Sequence, residues 1–197
     1  MIDRHFAILA ALVTLAGSGG YALDTLRGRT QPNRVSWAMW AVAPLIAFAA
    51  ELTEHAGLTS LLTFSVGFGP AMVLLASFLD ERAYARITRL DVMCGGLSAA
   101  ALAAWAVTGR GDVAIAFSIL SDLWAAIPTL HKALRRPESE SAKAFVPSAI
   151  GCVITLLTIR PGAWVFANYG FPVYILLIDT ALSTLILRPR PRARSGV

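Results

Sequence analysis

Two carboxylates inside apolar stretches are the residues of this sequence that most clearly could bind a substrate or a proton. Asp122 stands near the middle of an apolar segment of about 112–130, and Asp179 stands in another of about 163–187. A charge at the centre of a membrane helix costs roughly 2.5–3.5 kcal/mol on insertion scales, so such a residue faces a polar cavity, a partner or a proton. We expect at least one of the two to bind substrate or a proton. The alternative is a carboxyl group that only fixes helix packing. Its candidate hydroxyl partners are Ser118, Ser121, Thr155 and Tyr174.

Aromatic and amide side chains supply a second set of candidates. Trp37 and Trp40 are three residues apart, so they share one face of a predicted helix. Facing inward, they would form walls on which a sugar ring or a nucleobase stacks. Facing outward, they would be anchors at the membrane interface. Asn168 and Tyr174, both in the last apolar segment, are also predicted to contact a substrate.

Composition places the chain among membrane proteins. Apolar residues make up 56% of the sequence and charged residues 15%, whereas a soluble domain has about 25% charged residues. The mean hydropathy is +0.64. We therefore predict an all-α membrane protein that crosses the bilayer several times.

Seven apolar segments are long enough to cross a membrane, because a hydrocarbon core of roughly 30 Å needs about 17–25 helical residues. They cover approximately 6–22, 35–51, 57–79, 92–108, 112–130, 144–159 and 163–187. Asp24 falls beyond the first of them.

Small residues in the fourth segment permit close contact between helices, and we expect a monomer or a homodimer.

The basic residues predict the orientation. Of the 17 Lys and Arg side chains, all but Arg4, Arg110 and Arg160 fall in the first, third and fifth connections or in the tail. Basic residues accumulate on the cytoplasmic side, so an odd number of spans is expected, with the amino terminus outside and the carboxyl terminus inside. The net charge of +5 then requires no nucleic acid. The basic tail is interpreted as an orientation signal or a contact with anionic lipid.

Two motifs recur at a similar spacing, which indicates an internal repeat. The pattern Pro-x-x-x-Ser-x-x-x-aromatic occurs at 32–40 and again, 105 positions later, at 137–145. Gly-Phe-Gly-Pro at 67–70 resembles Tyr-Gly-Phe-Pro at 169–172, which is 102 positions later. We predict a first three-helix repeat over 1–89, a linker helix over 90–110, and a second three-helix repeat with a basic cytoplasmic tail over 111–197.

Seven spans in a three-plus-one-plus-three order, with a Pro-containing turn before the second helix of each repeat, resemble the SWEET and PQ-loop superfamily. Gln31-Pro32 is similar to that family's Pro-Gln dipeptide in reversed order. The chain also resembles small bacterial inner-membrane proteins. This resemblance implies two parallel repeats with a substrate site between them near the midplane. The family's paired asparagine corresponds to Asn168, whose repeat counterpart is Val66, and the adjacent Ser65 joins the expected site.

The expected function is a small-molecule membrane transporter, either a facilitator or a proton-coupled carrier. The alternative is a heptahelical protein that binds a ligand or a partner without transporting it. An enzyme is not expected, because His5, His55 and His131 are scattered and no phosphate-binding Gly-rich loop or Ser nucleophile motif occurs. No metal or other cofactor is predicted, and the expected partners are a small-molecule substrate and the lipid bilayer.

Overall fold

The computed structural model describes residues 2–3, 5–53, 60–80, 86–108, 111–162, 164 and 166–188. This part of the chain is all-helical, as predicted, with seven α-helices, one short 3-10 helix at Pro137–Ser139 and no strand. The α-helices are α1 (Phe6–Leu26), α2 (Arg34–Thr53), α3 (Ser60–Leu79), α4 (Arg89–Thr108), α5 (Gly111–Arg135), α6 (Phe145–Thr158) and α7 (Phe166–Leu187).

The protein is membrane-embedded. Three stretches of the described helices are long and apolar enough to cross a bilayer, namely Phe6–Leu26, Leu61–Leu79 and Tyr169–Leu187. Large apolar side chains such as Leu75, Leu79 and Val107 are exposed on the outside of the bundle. Wide exposed apolar surface marks a contact with lipid or with another protein.

The same pattern of helix contacts occurs in two sets of three helices, α1 to α3 and α5 to α7. Helix α3 packs against both α1 and α2, and α7 packs against both α6 and α5. The two three-helix sets meet through α1 against α6 and through α2 against α5. Each contact in one set therefore has a counterpart in the other. Helix α4 packs along α5 and also contacts α2.

Glycines let α1 and α6 approach closely where the two sets meet. A Cβ atom built on Gly17 would lie 2.5 Å from the carbonyl oxygen of Lys143 and 2.6 Å from Pro147. One built on Gly151 would lie 2.6 Å from the hydroxyl oxygen of Thr14. Small residues at such crossings bring helix backbones together in membrane proteins. The two halves are consequently in direct backbone contact on this side.

The turn between α1 and α2 organises one end of the bundle, which we call the basic end because several Arg and Lys side chains surround it. The Asn33 side chain accepts hydrogen bonds from the backbone N–H groups of Val35 and Ser36, both at 3.1 Å, and so caps α2. Its amide also donates to Asp91 in the first turn of α4 at 2.6 Å. One side chain thereby joins the starts of α2 and α4.

Two helices extend beyond the predicted apolar segments, whereas α6 begins one residue after its predicted start at 144. Helix α1 continues to Leu26, so Asp24 lies within it, and α5 continues to Arg135. Hydropathy placed these ends too early because the last turns carry charged residues whose partners are distant in sequence: Asp24 is 2.7 Å from Lys143, and Lys132 donates a hydrogen bond to the Gln31 carbonyl. Pro137 does not open α6 directly but lies in the short 3-10 helix.

Candidate functional site

A cavity of about 50 Å³ lies where the two three-helix sets meet. Residues from α1, α2, α3, α5, α6 and α7 line it: Thr14, Ser18, Trp37, Trp40, Val66, Pro70, Asp122, Ala144, Phe145, Ser148, Ile175, Ile178 and Asp179, with Ala144 immediately before α6. One water molecule needs roughly 10–15 Å³ of such volume, whereas pockets for drug-sized ligands measure about 300–1,000 Å³. In this conformation the cavity has room for a few waters or an ion.

Asp122 is held by side chains from two other helices. It is 4% exposed, and its carboxyl group accepts a hydrogen bond of 2.8 Å from the phenol of Tyr174 on α7. The indole N–H of Trp40 on α2 donates to the Asp122 backbone carbonyl at 3.4 Å. Asp122 therefore links α5 to both α2 and α7.

Asp179 is buried in the cavity wall. Both Asp179 and Ser148 of α6 line the cavity. Asp179 is 7% exposed, and among the residues that the structure describes its Oδ2 has no hydrogen-bond partner. Among the described residues, those that line the cavity include no Lys, Arg or His whose charge would offset that of Asp122 or Asp179.

Four aromatic rings pack beside the cavity. Trp37 lies 4.7 Å from Tyr21, 5.3 Å from Trp40 and 6.0 Å from Phe145, measured between ring centroids. Trp40 and Phe145, which occupy the same position of the repeated motif, meet edge to face at 6.2 Å. Trp37 is 2% exposed and Trp40 is 8% exposed. The aromatic cluster thus joins α1, α2 and α6 in the protein interior.

An ionic layer covers the aromatic cluster at the basic end. The phenol of Tyr21 donates a hydrogen bond to Glu140, whose other carboxylate oxygen is 2.6 Å from Lys132. The backbone N–H of Gln31 donates to the Ser139 carbonyl at 2.9 Å, and Lys132 also donates to the Gln31 carbonyl. The loops before α2 and before α6 are therefore bound to each other. Together the two layers join α1, α2, α5 and the start of α6 at the basic end.

The structure brings most of the predicted site residues together. Trp37, Trp40, Asp122 and Asp179 line the cavity, and Tyr174 reaches it through Asp122. The residues therefore come from α2, α5 and α7, which are distant in sequence.

One predicted residue has a different placement. The Ser65 hydroxyl donates to the Leu61 carbonyl of its own helix at 2.5 Å, and its neighbour Val66, not Ser65, lines the cavity. This difference follows from helix geometry, because adjacent residues point about 100° apart around the axis. The side chain of Asn168 lies outside the described residues.

Sequence reasoning missed three hydroxyl side chains of the cavity wall, those of Thr14, Ser18 and Ser148. Thr14 and Ser18 are one helical turn apart, which places two polar groups on one face of an apolar helix. That spacing was the available signal.

The chain matches no family model, no curated protein and no solved structure.

Proposed function

We propose that the protein is a small-molecule membrane transporter whose substrate binds between the two three-helix sets. The observation that carries this proposal is the cavity at their junction, which six helices line and which contains two buried carboxyl groups. Buried ionisable residues inside a membrane protein generally mark a substrate or ion pathway.

The arrangement of the halves supports transport over simple binding. A site between two equivalent units can open to either face of the membrane when one unit tilts against the other. Here the units touch through α1 with α6 and through α2 with α5. Tilting would separate one of these pairs at the basic end, where the ionic and aromatic layers now join the helices.

The remaining features belong to the same proposal. All seven helices cross a bacterial inner membrane, the amino terminus is outside, and the basic end is cytoplasmic, as the distribution of Arg and Lys favours. The overall plan is SWEET-like. Because the present volume of about 50 Å³ is too small for a sugar or nucleoside, we take this conformation as a closed state that widens before substrate enters.

A flux experiment tests the proposal. The purified protein is reconstituted in liposomes, and uptake of radiolabelled sugars, nucleosides, amino acids and small carboxylates is measured. We expect saturable uptake of one class, reduced at least tenfold in Asp179→Asn and Tyr174→Phe. The control is Ser183→Ala, a buried residue one turn beyond Asp179 that does not line the cavity. Saturable binding without uptake would instead favour a ligand-binding protein that does not transport.

A further inference from the structure

Oxygen atoms dominate the polar wall of the cavity. Five lining residues carry side-chain oxygens: Thr14, Ser18, Asp122, Ser148 and Asp179. One of these oxygens, Oδ2 of Asp179, is buried and has no hydrogen-bond partner among the described residues. An unpaired carboxylate oxygen in such a place is costly unless something outside the protein chain satisfies it.

The chemistry and the volume together select the class of ligand. Carboxylate and hydroxyl oxygens are the donors that hard cations prefer. A volume of about 50 Å³ admits a metal cation with one or two waters but not a sugar or an organic ammonium ion of ordinary size. In the described part of the chain no three His, Cys, Asp or Glu residues group to hold a metal ion, which argues against a divalent site built from several carboxylates.

We infer that the cavity binds a small monovalent metal cation, of the kind represented by Na⁺, through Asp179 and the oxygens around it. The cation offsets the charge of Asp179, beside which the described lining residues provide no basic side chain. Trp37 also supports a bound cation with its water, since its indole N–H is buried and unpartnered among the described residues. A water bound to the cation can accept a hydrogen bond from this N–H group.

The position of the site gives the cation a role, and this step rests on the proposed function. Thr14 and Ser18 belong to α1 in one half, whereas Ser148 and Asp179 belong to α6 and α7 in the other. A cation that contacts both sides holds the halves together and stabilises this closed conformation over an open one. A ligand shifts a conformational equilibrium through such a difference in affinity. The cation is then the coupling ion of transport.

Thermal unfolding without any substrate tests the inference. The full-length protein in detergent is titrated with NaCl, KCl or LiCl, and choline chloride keeps the ionic strength constant. We expect a saturable rise in Tm with at least one of the three metal ions, roughly 5 °C or more at a hundredfold its dissociation constant. Choline, which is too large for the cavity, gives the baseline Tm against which each rise is measured.

The variants make the result specific. Asp179→Asn should abolish the cation-dependent rise, and the milder Ser148→Ala should weaken it at least threefold in half-saturating concentration, which keeps the test valid if the Asp179 variant misfolds. Ser183→Ala should keep the full rise. Equal Tm in all four salts would overturn the inference. So would a rise retained in folded Asp179→Asn.

The two experiments separate the two ideas. Substrate uptake without any cation-dependent stabilisation would leave the transporter proposal standing and remove the cation site. Cation-dependent stabilisation that Asp179→Asn abolishes, without uptake of any substrate, would support the cation site and contradict the transporter proposal.

Discussion

The phenol of Tyr174 donates a hydrogen bond to the carboxyl group of Asp122 across 2.8 Å, which joins α7 to α5 at the cavity. The backbone carbonyl of the same Asp122 accepts a hydrogen bond from the indole N–H of Trp40 on α2. One residue therefore connects the two three-helix sets and also contributes a carboxylate to the candidate site.

Removal of the Tyr174 hydroxyl should destabilise the protein. Tyr174→Phe leaves the Asp122 carboxyl group buried without its donor, and such a loss costs about 1–3 kcal/mol. The free energy of unfolding is measured by detergent titration in mixed micelles. Tyr169→Phe is the matched control on the same helix, and an equal loss in both variants would contradict the importance of the hydrogen bond.

The contact between α1 and α6 should tolerate no side chain at Gly17. Gly17→Ala places a methyl group against the Lys143 carbonyl and Pro147, and overpacking of this kind costs about 1–3 kcal/mol. Gly19→Ala is the control, because a Cβ there meets nothing within 4 Å. The control should be neutral or gain up to about 1 kcal/mol from helix propensity. Similar unfolding free energies for the two variants would show that the helices are not in close contact.

Trp37 should be among the costliest residues to truncate. Trp37→Ala opens a cavity between Tyr21, Trp40 and Phe145, and such substitutions cost about 3–5 kcal/mol. Trp164 is 54% exposed, so Trp164→Ala should change the unfolding free energy by no more than about 0.5 kcal/mol. If Trp37 were an interfacial anchor instead, its removal would cost little more than that of Trp164. Trp37→Phe should retain part of the lost stability.

Asn33 should matter for its contact with Asp91 and not only as a helix cap. Asn33→Asp keeps a good capping oxygen but places two carboxylates 2.6 Å apart, so it should destabilise at least as much as Asn33→Ala. The double variant Asn33→Asp with Asp91→Asn exchanges donor and acceptor. We expect it to restore most of the stability in thermal unfolding. If Asn33→Asp alone were as stable as the original protein, the contact would be unimportant.

Sequence patterns predicted those features that depend on local composition. The apolar content and segment lengths predicted an all-helical membrane-embedded chain, and the cost of a charge inside an apolar segment singled out Asp122 and Asp179. The recurring motif paired Trp40 with Phe145, whose rings are in contact in the structure. These inferences needed no knowledge of which helices are neighbours.

Only the tertiary structure decided what each side chain faces. Trp37 and Trp40 turn into the interior, Ser65 bonds to its own helix, and the partner of Asp122 is Tyr174. Helices that are apolar on every side carry little periodic signal, so the sequence does not reveal which face meets lipid and which meets another helix. The close approach at Gly17, the Asp24–Lys143 ion pair in the last turn of α1 and the Lys132–Gln31 hydrogen bond in the last turns of α5 likewise depend on partners more than 100 residues away. Such contacts are properties of the assembled bundle, whereas the membrane character is a property of each segment.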